Sequence, residues 1–429
     1  MELKFNIHHL ENGLTILTHR DPFQPLVSFQ IHFKAGSRYE RPGITGISHM
    51  FEHMMFKGTK KVGPEEFARI IQAAGGSLNA FTTQDNTTYY ENLPSDKLEL
   101  AVKLEADRLK NLRLTEETLE PEREVVRNER KLRTVNSPFG LVYEKLYALA
   151  YERHPYQWPV IGWDSDLKAF TLEDCKEYYR IYYAPNNSVI VISGDIEEEK
   201  ALSLVKKYFG DIPAQKPPPP IVTFEEPQRG EKRAIFKKVS KMKAFFAGFH
   251  VPGIKDDDIY PLMVLCTIFS TGKSSRFYKK YIKKGVALEV SMDVGSPPFI
   301  SMDPGLLIVE AVLSPDKDTE KIEKNIWADI EEIKRDSITN EELKRAKKQI
   351  LSSFLTSMQT NFFKALLAGM YHIRAGDFSY INRIETKIKE VTIDMIVEVT
   401  KKYLTSDNRT VVTLVPISSE EHHFLGPIS

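Results

Sequence analysis

Cysteine is nearly missing from this sequence: 429 residues hold two, Cys175 and Cys266, far apart in the chain. That excludes a disulfide framework or a cysteine metal knuckle, and leaves two buried thiols as the expectation. Net charge is missing as well. Lys+Arg 59 balance Asp+Glu 59, so nothing in the charge points to nucleic acid or an acidic membrane as partner. No apolar run approaches the roughly 18 residues of a membrane helix, so no membrane span is expected. The opening residues Met1 to Asn6 do not read as a secretory leader. The expected location is cytoplasmic, or periplasmic if a leader has been removed.

What is present reads as globular: hydrophobic residues make up 41% and charged residues 28%. A chain this long exceeds one core, so two or three domains are expected. The composition breaks once, at a proline-rich stretch ending in Pro217-Pro218-Pro219-Pro220, which reads as a stiff extended linker. It divides the chain into 1–213, a linker 214–220 and 221–429. The two halves repeat one order of predicted strands and helices, which suggests a duplicated unit. The fold class that follows is α+β: two similar α/β units, each a mostly antiparallel sheet backed by helices.

One stretch of the first half carries chemistry: Gly46-Ile47-Ser48-His49-Met50-Phe51-Glu52-His53-Met54-Met55-Phe56. It reads as a helix, with Gly58 fitting its C-terminal stop. His49 and His53 are four apart and share a helix face, where one Zn²⁺ can take both. Glu52 sits beside them as a base that can accept a proton from an activated water. The string is H-x-x-E-H, an inverted zincin motif. The bland alternative is a half-buried helix with one polar side. The second half has Leu262-Met263-Val264-Leu265-Cys266 in the matching place, so no metal site is expected there. His8, His9, His19 and His32 fall singly in strand patterns and read as structural or exposed.

Two further segments matter. Ser77 to Thr83 and Thr87 to Asn92 are rich in β-branched and aromatic residues around a Gln84-Asp85-Asn86 turn, so a hairpin is expected. It is either core sheet or an edge onto which an extended peptide can add. Downstream, Pro121 fits the first position of a helix running from Glu122 to about Val135. Glu122 and Glu129 are two turns apart and share a face, while Glu124 points elsewhere. A two-His site needs a third protein ligand and keeps a position open. Spacing alone does not choose between Glu122 and Glu129.

Taken together, five segments resemble the pitrilysin-type metallopeptidases, in the half-length branch typified by the mitochondrial processing peptidase and its bacterial homologues. They are His49/Glu52/His53, Gly75 to Thr82, Glu122 to Glu129, His154-Pro155-Tyr156 with Pro159 to Gly162, and Tyr182 to Asn187. The resemblance implies a zinc endopeptidase. Its zinc ligands would be His49, His53 and Glu129, its base Glu52, and Glu122 an assisting acid. Asn79, Ala80 and Phe81 would match the edge that pairs with the peptide substrate. It also exposes a departure. Substrate-binding relatives carry an Arg and a Tyr, seven apart, in the second half; here Tyr281 and Leu288 stand there, with Arg276 and Tyr278 nearby at the wrong spacing. That implies a zinc-less homologous subunit as partner, a heterodimer, although a homodimer is possible. The rival reading is a non-catalytic scaffold of the same fold. It gives no reason for His49, Glu52, His53 and Glu129 to occur together.

Overall fold

The computed structural model describes residues 2–335 and 337–418. By packing they form two compact units, each discontinuous in sequence. The first comprises Met1–Leu132, His154–Thr223 and Leu355–Asn382; the second comprises Arg133–Arg153, Phe224–Phe354 and Arg383–Ser429.

The first unit is built on six strands: β1 (Asn6–His9), β2 (Thr15–Arg20), β3 (Leu26–Phe33), β4 (Ser77–Thr82), β5 (Thr87–Pro94) and β6 (Ser188–Gly194). Their order in the sheet is β1-β2-β6-β3-β5-β4. Every pair is antiparallel except β2 with β6. The second unit has five strands: β7 (Lys232–Val239), β8 (Lys243–Val251), β9 (Glu289–Asp293), β10 (Gly305–Leu313) and β11 (Arg409–Ile417), ordered β7-β11-β8-β10-β9. Here too one pair is parallel, β7 with β11. With β1 set aside, the two orders are the same, which is the duplication expected from the pattern.

β3 shows why chain order and packing differ. Its apolar residues Val27, Phe29, Ile31 and Phe33 join the main core with Met50, Phe51 and Met54. The alternate residues Ser28, Gln30 and His32 are polar, a pattern that normally leaves one face in water. They are nonetheless buried, because the helix Asn361–Ala375 covers that face. Gln30 donates to the Phe362 carbonyl at 2.9 Å. The His32 ring, held at 2.9 Å from the Thr88 hydroxyl, is kept neutral by burial, its pKa pushed down to about 3. In the second unit, Val142 and Leu146 of the helix Gly140–Ala150 pack on Ala244, Phe246, Val412 and Leu414. The two packed bodies therefore do not follow the expected division at 213/221, because each draws segments from both halves of the chain. Each sheet takes one covering helix from the opposite half of the chain.

A second difference concerns the acidic helix. It runs Glu116–Arg130, with Pro121 inside it rather than at its start. Thr115 is the extended residue before it, and its N–H donates to the Thr118 hydroxyl at 3.1 Å. The local hydrogen bond around Thr115 sets the start a turn and a half earlier than the proline suggests. Pro121 lies past the first turn, so it gives no N–H to the Glu117 carbonyl and its ring crowds that group.

Candidate metal centre

The motif helix spans Ile47–Met54, and its placement is strongly determined. At its start, Gly46 has φ 88, and a Cβ there would meet the Ile161 carbonyl oxygen at 2.5 Å. The position therefore requires glycine. Glu40, itself buried, accepts the N–H groups of Gly46 at 2.7 Å and Ser48 at 2.8 Å. Its two oxygens satisfy donors that a helix start leaves unpaired, although burial pushes its pKa up to about 8 against the pull of those bonds. Phe51 stacks on Tyr178 and Tyr179, with centroids 5.6 and 5.7 Å apart, and the Ser48 hydroxyl lies 2.7 Å from that of Tyr178. The aromatic residues Tyr178 and Tyr179 of the helix Leu172–Tyr182 thus serve packing. Glu40→Ala leaves two buried N–H groups without an acceptor and is expected to cost about 2 kcal/mol, read as a lowered midpoint in denaturant with the slope unchanged.

With Met50, Phe51 and Met54 committed to the core, His49, Glu52 and His53 occupy the remaining face. His49 Nε2 and His53 Nε2 lie 3.8 and 3.2 Å from one oxygen of Glu129. Among the described residues these three form the single group whose ligand atoms, all within 4.8 Å of one another, could hold a metal ion. Two imidazoles and a carboxylate suit Zn²⁺ with an open position. Glu122 lies on the same helix face but reaches the other ring nitrogen: its Oε1 is 2.8 Å from His53 Nδ1, and its Oε2 is 2.5 Å from Lys57 Nζ. A carboxylate can only accept there, so Nδ1 carries the proton and Nε2 is left facing Glu129. Glu124 is exposed and pairs with Arg127 at 2.5 Å, away from the site.

The electrostatics agree. Burial opposes a charge on His53, but the Glu122 hydrogen bond and the carboxylates of Glu122, Glu129 and Glu52 together raise its pKa above 6.5. Burial likewise opposes a charged Glu122, and the bonds from His53 and Lys57 outweigh it, lowering its pKa. A metal at Nε2 must displace the second proton that the charged imidazolium carries there, while Nδ1 keeps its own. Apparent zinc affinity should therefore fall as pH drops through the raised His53 value and level off above it. Glu122→Gln keeps the shape but loses the charge, and is expected to weaken zinc about 10–100-fold, measured by competition with a chromophoric chelator.

Glu52 Oε2 accepts a hydrogen bond from the Thr82 hydroxyl at 2.7 Å. Thr82 is the last residue of β4, the strand that carries Asn79, Ala80 and Phe81. Among the described residues β4 pairs only with β5, so it is an edge of the sheet. The sequence reading missed Thr82, Glu40 and Lys57. Thr82 was the findable one: by strand alternation it shares a face with Ala80. Glu40 and Lys57 reach the helix from loops and leave no periodic signal.

In the second unit, Tyr281 is buried and donates to Asp329 at 2.6 Å. Leu288 is 54% exposed. Arg276 forms a two-bond pair with Glu342, at 2.8 and 2.9 Å, which holds that carboxyl down at about 2. No described helix is long and apolar enough to cross a membrane.

His49, His53 and Glu129 form a group that could hold a metal ion, and the helix that carries the two histidines has the spacing of an inverted-zincin motif. Residues 15–163 match the model of the insulinase family, peptidase family M16, and residues 169–350 match that of the peptidase M16 inactive domain. The zinc protease PqqE of Helicobacter pylori is 30% identical over 413 residues, 95% of this chain and 92% of that protein. The uncharacterized zinc protease YmxG of Bacillus subtilis is 27% identical over 398 residues, 92% of this chain and 95% of its own length. A crystal structure of a protease from Helicobacter pylori superposes with a TM-score of 0.92 at 29% identity, covering 97% of this chain and all of that one. This chain belongs to peptidase family M16. The inactive-domain match falls largely on the half in which no metal site was expected.

Proposed function

We propose that this chain is a zinc-dependent endopeptidase that cleaves extended or unfolded peptides. The observation that carries the reading is the convergence of His49, His53 and Glu129 on one point with Glu52 on the same helix face. A zinc ion held by these three residues would supply Lewis acidity toward water and the scissile carbonyl. Glu52, on the neighbouring helix position, takes the proton from the attacking water and returns it to the leaving amine. Thr82 holds one Glu52 oxygen, which fixes the direction in which the other can act. Glu122 keeps the His53 tautomer that leaves Nε2 available. An extended peptide would add along the β4 edge at Asn79, Ala80 and Phe81, replacing the bond that the Ala80 N–H makes to Asn79 Oδ1 at 2.9 Å; such pairing fixes a scissile bond while tolerating varied side chains.

The same reading makes the chain the zinc-bearing member of a two-chain enzyme, its partner a zinc-less homologue. Length supports it. The periplasmic protease PqqL of Escherichia coli has this fold at 16% identity and a TM-score of 0.79. This chain, fully aligned, covers 51% of it. The test of the reading is hydrolysis of a mixed peptide library, with and without candidate partners. Treatment with a chelator should abolish cleavage, and one equivalent of zinc per chain should restore it. Cleavage that survives chelation would refute the metal mechanism. A zinc-loaded chain that cleaves nothing under any condition would favour the scaffold reading.

A further inference from the structure

We infer that Arg374 is a positioning residue for Glu52, acting through the turn that closes the β4–β5 hairpin; this rests on the peptidase reading above. Arg374 lies on the helix Asn361–Ala375 and is 2% exposed. Its Nη2 donates to the Thr83 hydroxyl and to Asn86 Oδ1, both at 3.0 Å, and its Nε donates to Asn86 Oδ1 at 3.2 Å. The Asp85 carboxylate lies 3.7 Å away and also accepts the Tyr156 hydroxyl at 2.5 Å. The turn is wound around the same atoms: the Thr83 hydroxyl accepts the N–H groups of Asp85 and Asn86, each at 3.1 Å. The guanidinium therefore fills the hollow of a tight polar turn, a shape its planar fork matches and a lysine ammonium does not.

The residue before Thr83 is Thr82, whose hydroxyl donates to Glu52 at 2.7 Å. The Thr87 hydroxyl stands 3.3 Å from that of Thr82, on the opposite strand. Loosening the turn frees Thr82 to move relative to the motif helix, which is fixed independently by Glu40 and Tyr178. A displacement of about 1 Å at a group that aims a base costs up to about 10²-fold in rate. A buried arginine in a polar cluster can also be simply stabilising, and the two roles separate in a double-mutant cycle.

The experiment measures kcat, KM and zinc content of the full-length protein, with its partner if one is needed, for Arg374→Lys, Thr82→Val and the double variant. Each single change should lower kcat about tenfold or more, with zinc content and KM within about twofold of wild type. The double variant should be no slower than the slower single one, because both act on one bond. Losses that multiply, or an Arg374→Lys variant with normal kcat, would overturn the inference. If Arg374→Lys does not fold, Asn86→Ala removes the acceptor from the turn side and takes its place in the cycle. A zinc-loaded wild type without hydrolysis would remove the peptidase reading, and this inference with it. Multiplying losses would leave the peptidase reading intact.

Discussion

Glu52→Gln is expected to bind zinc as the wild type does and to lose peptide hydrolysis by about 10²–10⁴-fold. The amide has the shape of the carboxylate but cannot take a proton at neutral pH. Beyond that, the charge adds to the raised His53 pKa, where Glu122 and Glu129 contribute more. Glu52 lies outside the group that converges on the metal position, which is His49, His53 and Glu129. The Thr82 hydroxyl can still donate to an amide oxygen in the same place. The helix stays anchored by Glu40 at its start and by Phe51 against Tyr178 and Tyr179. The loss should therefore fall on kcat, with folding and metal content retained. Near-normal turnover in this variant would place the base elsewhere.

The second large effect concerns a partner chain. Alone, this protein is expected to hydrolyse peptides slowly. Adding a zinc-less homologue that has Arg and Tyr where this chain has Tyr281 and Leu288 should raise the rate about 10²–10³-fold, the worth of one lost hydrogen-bond donor at a reacting carbonyl. The side chains of the second unit are the reason. Tyr281 is buried and committed to Asp329, Leu288 has no donor to offer, and Arg276 is held by Glu342 on two bonds. A second copy of the same chain would repeat those deficits. Full activity as a homodimer, unchanged when such a homologue is added, would contradict the division of labour.

Much of this was legible in the residues, for identifiable reasons. The spacing of His49 and His53 is itself geometry, because a helix places residues four apart on one face. Helical periodicity also put Glu122 and Glu129 together; spacing did not choose between them, the family resemblance named Glu129, and in the fold Glu129 faces both imidazoles and Glu122 the back of His53. Alternation in β3 was visible, but its usual meaning failed. The polar face of Ser28, Gln30 and His32 is covered by a helix more than three hundred residues away. Hydrophobic pattern reports which faces avoid water, not which distant segment covers a polar one. Arg374 was silent for the same reason, its partners Thr83 and Asn86 lying far away in sequence. Pro121 misled because a proline near a helix start looks like the start itself.

The measurement that bears most directly on the central claim is metal content after exhaustive dialysis against trace free zinc. It compares wild type, His49→Ala, Glu129→Gln and Glu124→Gln. One zinc per chain is expected in the wild type and in Glu124→Gln, whose carboxylate faces away and pairs with Arg127. His49→Ala and Glu129→Gln should retain almost none. Full occupancy in those two variants, or loss in Glu124→Gln alone, would contradict the assignment of the metal to His49, His53 and Glu129.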